Sequence, residues 1–220
     1  MLAYFRLKPE ILVIGLKTIA TTEIGGEGRI SPRRRRFAAV FADRQYQEEA
    51  MEQAQEQKLR EDFLYKAYLA ASDGGHIFPE HAACEAALES AWGESELAVE
   101  ANNLFGQKQS HPPLKETETI MLMTREYLRK QWVRVPANWV KFRDWDECFR
   151  ARMDLLERLS NGYPHYAAAL AATNGEDFAR EVSMSWSTDP LRADKVLAIH
   201  AAHRSALWSR IESGATSQKA

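Results

Sequence analysis

The chain has 220 residues, enough for one domain with a sizeable core plus an extension, and too few for two large domains. Hydrophobic residues make up 45% and charged residues 27%, as in ordinary globular proteins, and the net charge of -2 leaves no bulk electrostatic attraction for nucleic acid. Two cysteines, Cys84 and Cys148, are too few for a disulfide framework, and six scattered histidines without HExxH or paired-cysteine spacing give no ground for a metal site.

In chain order, the apolar run 11–16 follows Arg6 and Lys8 like a weak signal peptide, but Pro9 and Glu10 precede it, Lys17 interrupts it, and it is too short to span a bilayer. Gly25, Gly26 and Gly28, then Ser31-Pro32 and the arginine run 33–36, argue against packed structure. The run reads as a solvated basic tail, with a nucleic-acid or anionic-lipid contact as the sharper alternative. Residues 37–60 are rich in Gln, Glu, Ala and Arg and predict an exposed helical arm. Residues 1–60 are therefore expected to be an N-terminal extension, partly disordered and then helical.

From Glu61 the pattern changes. Phe63, Leu64, Ala67, Tyr68 and Ala71 recur at helical spacing up to Ser72-Asp73-Gly74-Gly75, and a second, alanine-rich helix is expected from Pro79 to a stop at Gly93. After Gly106, the branched and aromatic stretches 120–127 and 132–142 flank a polar connection at 128–131 and predict a β-hairpin. Helix returns from Cys148 to Leu159, stops at Asn161-Gly162, and resumes over 166–170, 178–182 and 190–211. The expected class is α+β, mainly α, with the main folded domain over 61–212 and a flexible tail over 213–220.

Glu85 and Glu89 lie one helical turn apart and share a face. Glu89 is nearer the helix end, Trp92 and Gly93, where a cleft can open and partial desolvation favours a protonated carboxyl. The plainer reading is two solvated face residues. Trp92 reads either as core or as a ligand platform. Asn102 and Asn103 read either as turn-fixing side chains or as contacts to a substrate amide.

Several stretches taken together resemble one family. Leu88-Glu89-Ser90-Ala91-Trp92-Gly93, Ala101-Asn102-Asn103-Leu104-Phe105-Gly106-Gln107-Lys108, Phe142-Arg143-Asp144-Trp145 and Ser187-Thr188-Asp189-Pro190 are similar, in order and spacing, to the signature of glucosaminidase domains, glycoside hydrolase family 73. The resemblance covers residues 63–200. It implies a lysozyme-like helical domain with a small β-hairpin lobe over the cleft. It also implies hydrolysis of peptidoglycan glycan strands after N-acetylglucosamine; no cofactor is expected. Glu89 falls on the general acid, and the second carboxylate falls best on Glu126 of Thr124-Arg125-Glu126, with Glu116 and Glu118 as alternatives. Trp92, Asn102, Asn103 and Trp186 are assigned to substrate binding.

The chain departs from the family pattern twice. Ala91 stands where the motif usually has Gly, which is tolerated if the position is helical. Trp186 stands where Tyr is common; its indole can stack on a sugar but donates only one hydrogen bond and accepts none. The expected partner is peptidoglycan, for a monomer without nucleic acid or membrane span. It would act at the bacterial cell wall, reaching it through a lytic pore in the manner of a phage endolysin, by a specialised secretion route, or with a start other than the one given. The rival readings are a lysozyme or lytic transglycosylase cutting the other bond of the disaccharide, and a non-catalytic peptidoglycan-binding or scaffold protein.

Overall fold

The structure is a computed structural model that describes residues 32–110, 117–128 and 131–217. In chain order it contains helices α1 (Pro32–Asp73), α2 (Pro79–Ser90) and α3 (Glu96–Ala101), strands β1 (Thr119–Leu128) and β2 (Gln131–Val140), and helices α4 (Trp145–Leu159), α5 (Pro164–Leu170), α6 (Gly175–Trp186) and α7 (Arg192–Ser217). The segments read as signal-like (11–16) and glycine-punctuated (25–28), together with Glu116, lie outside the described residues.

Chain packing divides between Lys58 and Leu59. In the first unit, residues 43–58 are exposed along α1, with Arg44 and Glu48 paired one turn apart at 3.0 Å. The helix is continuous over 42 residues. The arginine run 33–36, read as a solvated basic tail, is its opening, and residues 37–60 and 61–71, expected as separate segments, belong to it. No Gly or Pro lies between Arg33 and Asp73, so the change at Glu61 is one of exposure and not of conformation.

The second unit is built on a core of Phe63, Leu64, Ala67 and Ala71 from α1, the alanines of α2, Leu104, Phe105, Phe149 and Val196. Ala82, Ala83, Ala86 and Ala87 are fully buried, so small side chains let neighbouring helices approach α2 closely. A satellite cluster of Met153, Leu156, Tyr166, Phe178 and Val182 joins α4, α5 and α6.

The end of α2 differs from expectation. Ala91 is left-handed (φ 52°, ψ 53°) and is followed by Trp92 (φ 60°) and Gly93 (φ 82°), three consecutive positive-φ residues. Ser90 Oγ donates to Ala86 O at 2.6 Å and accepts from Gly93 N at 2.8 Å, tying the turn to the helix. At Gly93 a Cβ would meet the Phe63 ring at 2.8 Å. Helix α3 is absent from the periodicity reading because it has only six residues; Ser95 starts it by accepting from Ala98 N at 3.2 Å.

The hairpin is found where expected, with antiparallel register from Thr119 opposite Val140 to Leu128 opposite Gln131. Pro136, opposite Met123, is tolerated because among the described residues each strand has one unpaired edge there. At its base, Gln109 N donates to Asn138 O (3.1 Å) and Val140 N to Gln107 O (3.0 Å), so the loop after Gly106 pairs briefly with β2. Helices α4 and α6 start on side-chain caps from Asp144 and Asn174. Helix α7 runs on through 213–217, a stretch expected as tail.

Candidate active site

Glu85 and Glu89 stand on α2 as expected, but Glu85 is neither solvated nor idle. It is 0% exposed; Arg152 Nη2 donates to its Oε2 at 2.7 Å and Arg192 Nη1 to its Oε1 at 3.0 Å. Arg192 Nη1 also donates to Ser183 Oγ at 2.8 Å, and Arg192 Nε donates to Glu89 Oε1 at 2.7 Å. Glu89 is the outermost carboxylate of the cluster, with its side chain 15% exposed. Its Oε2 accepts no hydrogen bond among the described residues. Burial on its own would push the Glu85 carboxyl up, but Arg152 and Arg192 outweigh it and hold the group below its ordinary value. Burial pulls the Arg152 guanidinium down against the opposing pull of Glu85.

Among the described residues Arg152 Nε and Nη1 find no acceptor; the aromatic rings of Phe105 (4.3 Å) and Trp186 (4.1 Å) lie against the guanidinium instead. Nearby, burial and then the charge of Arg152 pull the His76 imidazole down to about 3, so it stays neutral and accepts from Phe78 N at 3.1 Å.

Local sequence explains how these groups converge. In Ser187-Thr188-Asp189-Pro190, Ser187 Oγ accepts from Asp189 N (3.1 Å), while Asp189 accepts from Leu191 N (3.0 Å) and from Lys195 Nζ (2.6 Å). That turn opens α7 and delivers Arg192, its first residue, back to α2. Arg152 sits on the apolar stripe Cys148, Arg152, Leu156 of α4. Sequence reasoning missed both arginines and the role of Glu85. A charged residue in the middle of an apolar stripe was the available signal for Arg152, and the surrounding alanines were the signal for Glu85.

The other expected residues are placed as follows. Trp92 is partly buried, edge-on to Phe63 (6.1 Å) and His203 (5.5 Å), with the Arg60 guanidinium 5.1 Å over its ring. Asn102, left-handed at the end of α3, donates to the carbonyls of Phe142 (3.0 Å) and Arg143 (3.1 Å). Asn103 is buried; its amide donates to Gln107 O (2.9 Å) and Val140 O (2.8 Å), and its Oδ1 accepts from Gln107 N (2.9 Å). Trp186 is the last residue of α6, partly buried against Arg152. Glu126 lies in β1 opposite Val133. Glu118, the alternative, pairs with Lys141 at 3.0 Å. Cys84 and Cys148 are free thiols, both buried, which pushes Cys148 up to about 12 and Cys84 also upward. Among the described residues no group of three His, Cys, Asp or Glu could hold a metal.

This arrangement can hold one oxygen of a carboxyl rigid and leave the other to carry a proton. The family model described as Mannosyl-glycoprotein endo-beta-N-acetylglucosaminidase matches residues 65–205. The chain belongs to this glucosaminidase family.

The glucosaminidase-family chain is similar to Exo-glucosaminidase LytG of Bacillus subtilis, 33% identical over 144 residues that cover 62% of this chain and 45% of that protein. It is also similar to a probable N-acetylmuramidase of Lactococcus lactis subsp. cremoris, 26% identical over 54% of this chain and 27% of that protein. It thus spans less than half the length of the curated relatives it matches. Among solved structures, the catalytic domain of the autolysin Auto from Listeria monocytogenes has the same fold (TM-score 0.58, 22% identity, 81% of this chain and 97% of that one). A C-terminally truncated glycoside hydrolase domain from Salmonella typhimurium FlgJ matches with TM-score 0.52 and 26% identity, over 66% of this chain and 98% of that one. The mainly helical fold with a small hairpin expected from the sequence is the fold observed, and it matches these solved structures.

Proposed function

We propose that the chain is a peptidoglycan hydrolase of the N-acetylglucosaminidase type in which Glu89 is the general acid. The observation that carries this reading is the placement of Glu89. It is the most exposed member of a buried ionic cluster, anchored through one oxygen, on the helix that carries the family motif. In the reaction, Glu89 Oε2 gives its proton to the glycosidic oxygen as the bond to the departing sugar breaks. Positive charge develops on the anomeric carbon and its ring oxygen. Glu126, on the hairpin, is the proposed second carboxylate, acting on that developing charge or as base toward water. Trp186, partly exposed, is the proposed sugar platform, with Trp92 and the turn held by Asn102 and Asn103 as the further substrate contacts. Residues 61–212 are proposed as the catalytic domain, working as a monomer at the cell wall.

The test is the full chain incubated with peptidoglycan, with the released fragments identified by mass spectrometry. N-acetylglucosamine at the new reducing ends, abolished in a folded Glu89→Gln variant, is the expected result. The name of the Lactococcus relative favours one competing reading, cleavage at N-acetylmuramic acid, and muramic acid at the new reducing ends would establish it instead. Undiminished lysis by Glu89→Gln would remove Glu89 from the mechanism.

A further inference from the structure

We propose that Arg192 is a positioning residue for the acid: clamped by Glu85 and Ser183, its guanidinium holds Oε1 of Glu89 and so presents Oε2 to the substrate. This rests on the reading of Glu89 as the acid, and goes beyond it by assigning what aims the carboxyl. A guanidinium is planar, and its Nε–H and Nη1–H directions are fixed relative to each other. Once Nη1 is held by Glu85 Oε1 at 3.0 Å and Ser183 Oγ at 2.8 Å, the direction of Nε–H toward Glu89 at 2.7 Å is set. Glu85 is itself held at its other oxygen by Arg152 at 2.7 Å. The clamp therefore draws on α2, α4, α6 and α7 together. Arg192, with its side chain 2% exposed, has no solvent-facing alternative to adopt.

The charges explain why two carboxylates are needed. Glu85 and Glu89 face Arg152 and Arg192, so the cluster balances when every member is ionised. A general acid must gain and lose its proton each turnover. If Glu89 were the sole partner of Arg192, protonating it would strip a buried cation of its counter-charge. Glu85 keeps Arg192 engaged through both states, and the acid can cycle without the clamp letting go.

The test compares turnover of solubilised peptidoglycan by the full chain and by Arg192→Lys, Glu85→Gln, Ser183→Ala and Glu89→Gln, each checked for cooperative thermal unfolding. Lys keeps the charge but loses the fork, so Arg192→Lys is expected to lower kcat at least about tenfold with KM changed less than about twofold. Glu85→Gln removes a negative charge beside the acid, so the alkaline limb of its pH–activity profile is expected to move to lower pH. A purely structural role would instead lower the thermal midpoint and leave turnover per folded molecule and the limb in place; that result overturns the inference. If Arg192→Lys does not fold, Ser183→Ala decides, since it removes one anchor of Nη1: a drop in kcat of about two- to fivefold at constant KM supports the clamp, and unchanged kcat overturns it. Activity in Glu89→Gln overturns the acid reading and the clamp together, whereas an inactive Glu89→Gln beside a fully active Arg192→Lys overturns the clamp alone.

Discussion

The guanidinium carbon of Arg152 lies 4.1 Å from the centroid of the Trp186 indole, so the aromatic residue that closes α6 covers the buried cation that neutralises Glu85. Phe105 adds a second ring at 4.3 Å and stands edge-on to Trp186 at 6.5 Å. In a site where Nε and Nη1 of Arg152 meet no acceptor among the described residues, the negative faces of these rings supply the compensating field.

Replacing Trp186 with Ala should therefore destabilise the domain by about 3 kcal/mol, and with Phe by about 1 kcal/mol, because Phe keeps a ring over the cation. Urea unfolding of the two variants measures the difference. Equal losses would show that bulk apolar area, and not the ring over Arg152, is what matters.

Arg152→Met leaves Glu85 with half of its counter-charge and should cost about 3 kcal/mol or more. Adding Glu85→Gln removes the charge that Met left exposed to a dry interior. The double variant should then lose less than the sum of the singles by about 1 to 3 kcal/mol. A double-mutant cycle in denaturant reads this coupling, and strict additivity would count against a coupled pair.

Ala91 is held left-handed at φ 52°, a conformation that costs an L-residue about 1–2 kcal/mol. Ala91→Gly relieves that strain and gives back part of it, about 0.4–1 kcal/mol, through the greater freedom of the unfolded chain. The net expectation is a gain of roughly 0.5–1 kcal/mol, seen as a rise in Tm of about 2 °C. A fall in Tm would contradict the strain.

Stability should decline as the solution is acidified below pH 6.5. His76 takes up a proton near 6.5 when unfolded but only at about 3 when folded, because burial opposes the charge; across that window the unfolded state binds more protons. The slope from this one group is at most about 1.4 kcal/mol per pH unit. His81 and His203 are lowered for the same reason and add to it, and Glu85 adds a loss of the same sign below its ordinary 4.5. His76→Asn keeps an acceptor for Phe78 N and cannot titrate, so its urea midpoint should fall less steeply between about pH 6 and 4.

The parts of the fold legible in the sequence were those written locally. Pro79 and Gly93 bracket the helix that bears Glu89, and the branched residues on either side of 128–131 mark the hairpin. What escaped was written at long range. Glu85 meets Arg152 and Arg192 across 67 and 107 residues, and no periodicity reports such a pairing. The left-handed turn at Ala91 escaped for a related reason: alanine gives no local warning of positive φ, and the turn is stabilised by Ser90 and by Trp92 packed on Phe63 and His203. Arg192 was hidden behind a motif noted only for its Thr-Asp-Pro core, although that turn is what places it.

The amide of Asn103, bonded at once to Val140 and Gln107, makes the foot of the hairpin part of the rigid helical body. The paired ribbon extends beyond it. The rung that pairs Glu126 with Val133 lies seven residues along β2 from Val140, roughly 24 Å at the usual strand rise. A tilt of about ten degrees about that foot carries the rung by roughly 4 Å, which is as large as the gap between a carboxylate that attacks directly and one that leaves room for water. With Glu126 as the proposed second carboxylate and Glu89 as the proposed acid, the angle of a two-stranded ribbon would select between stereochemical courses.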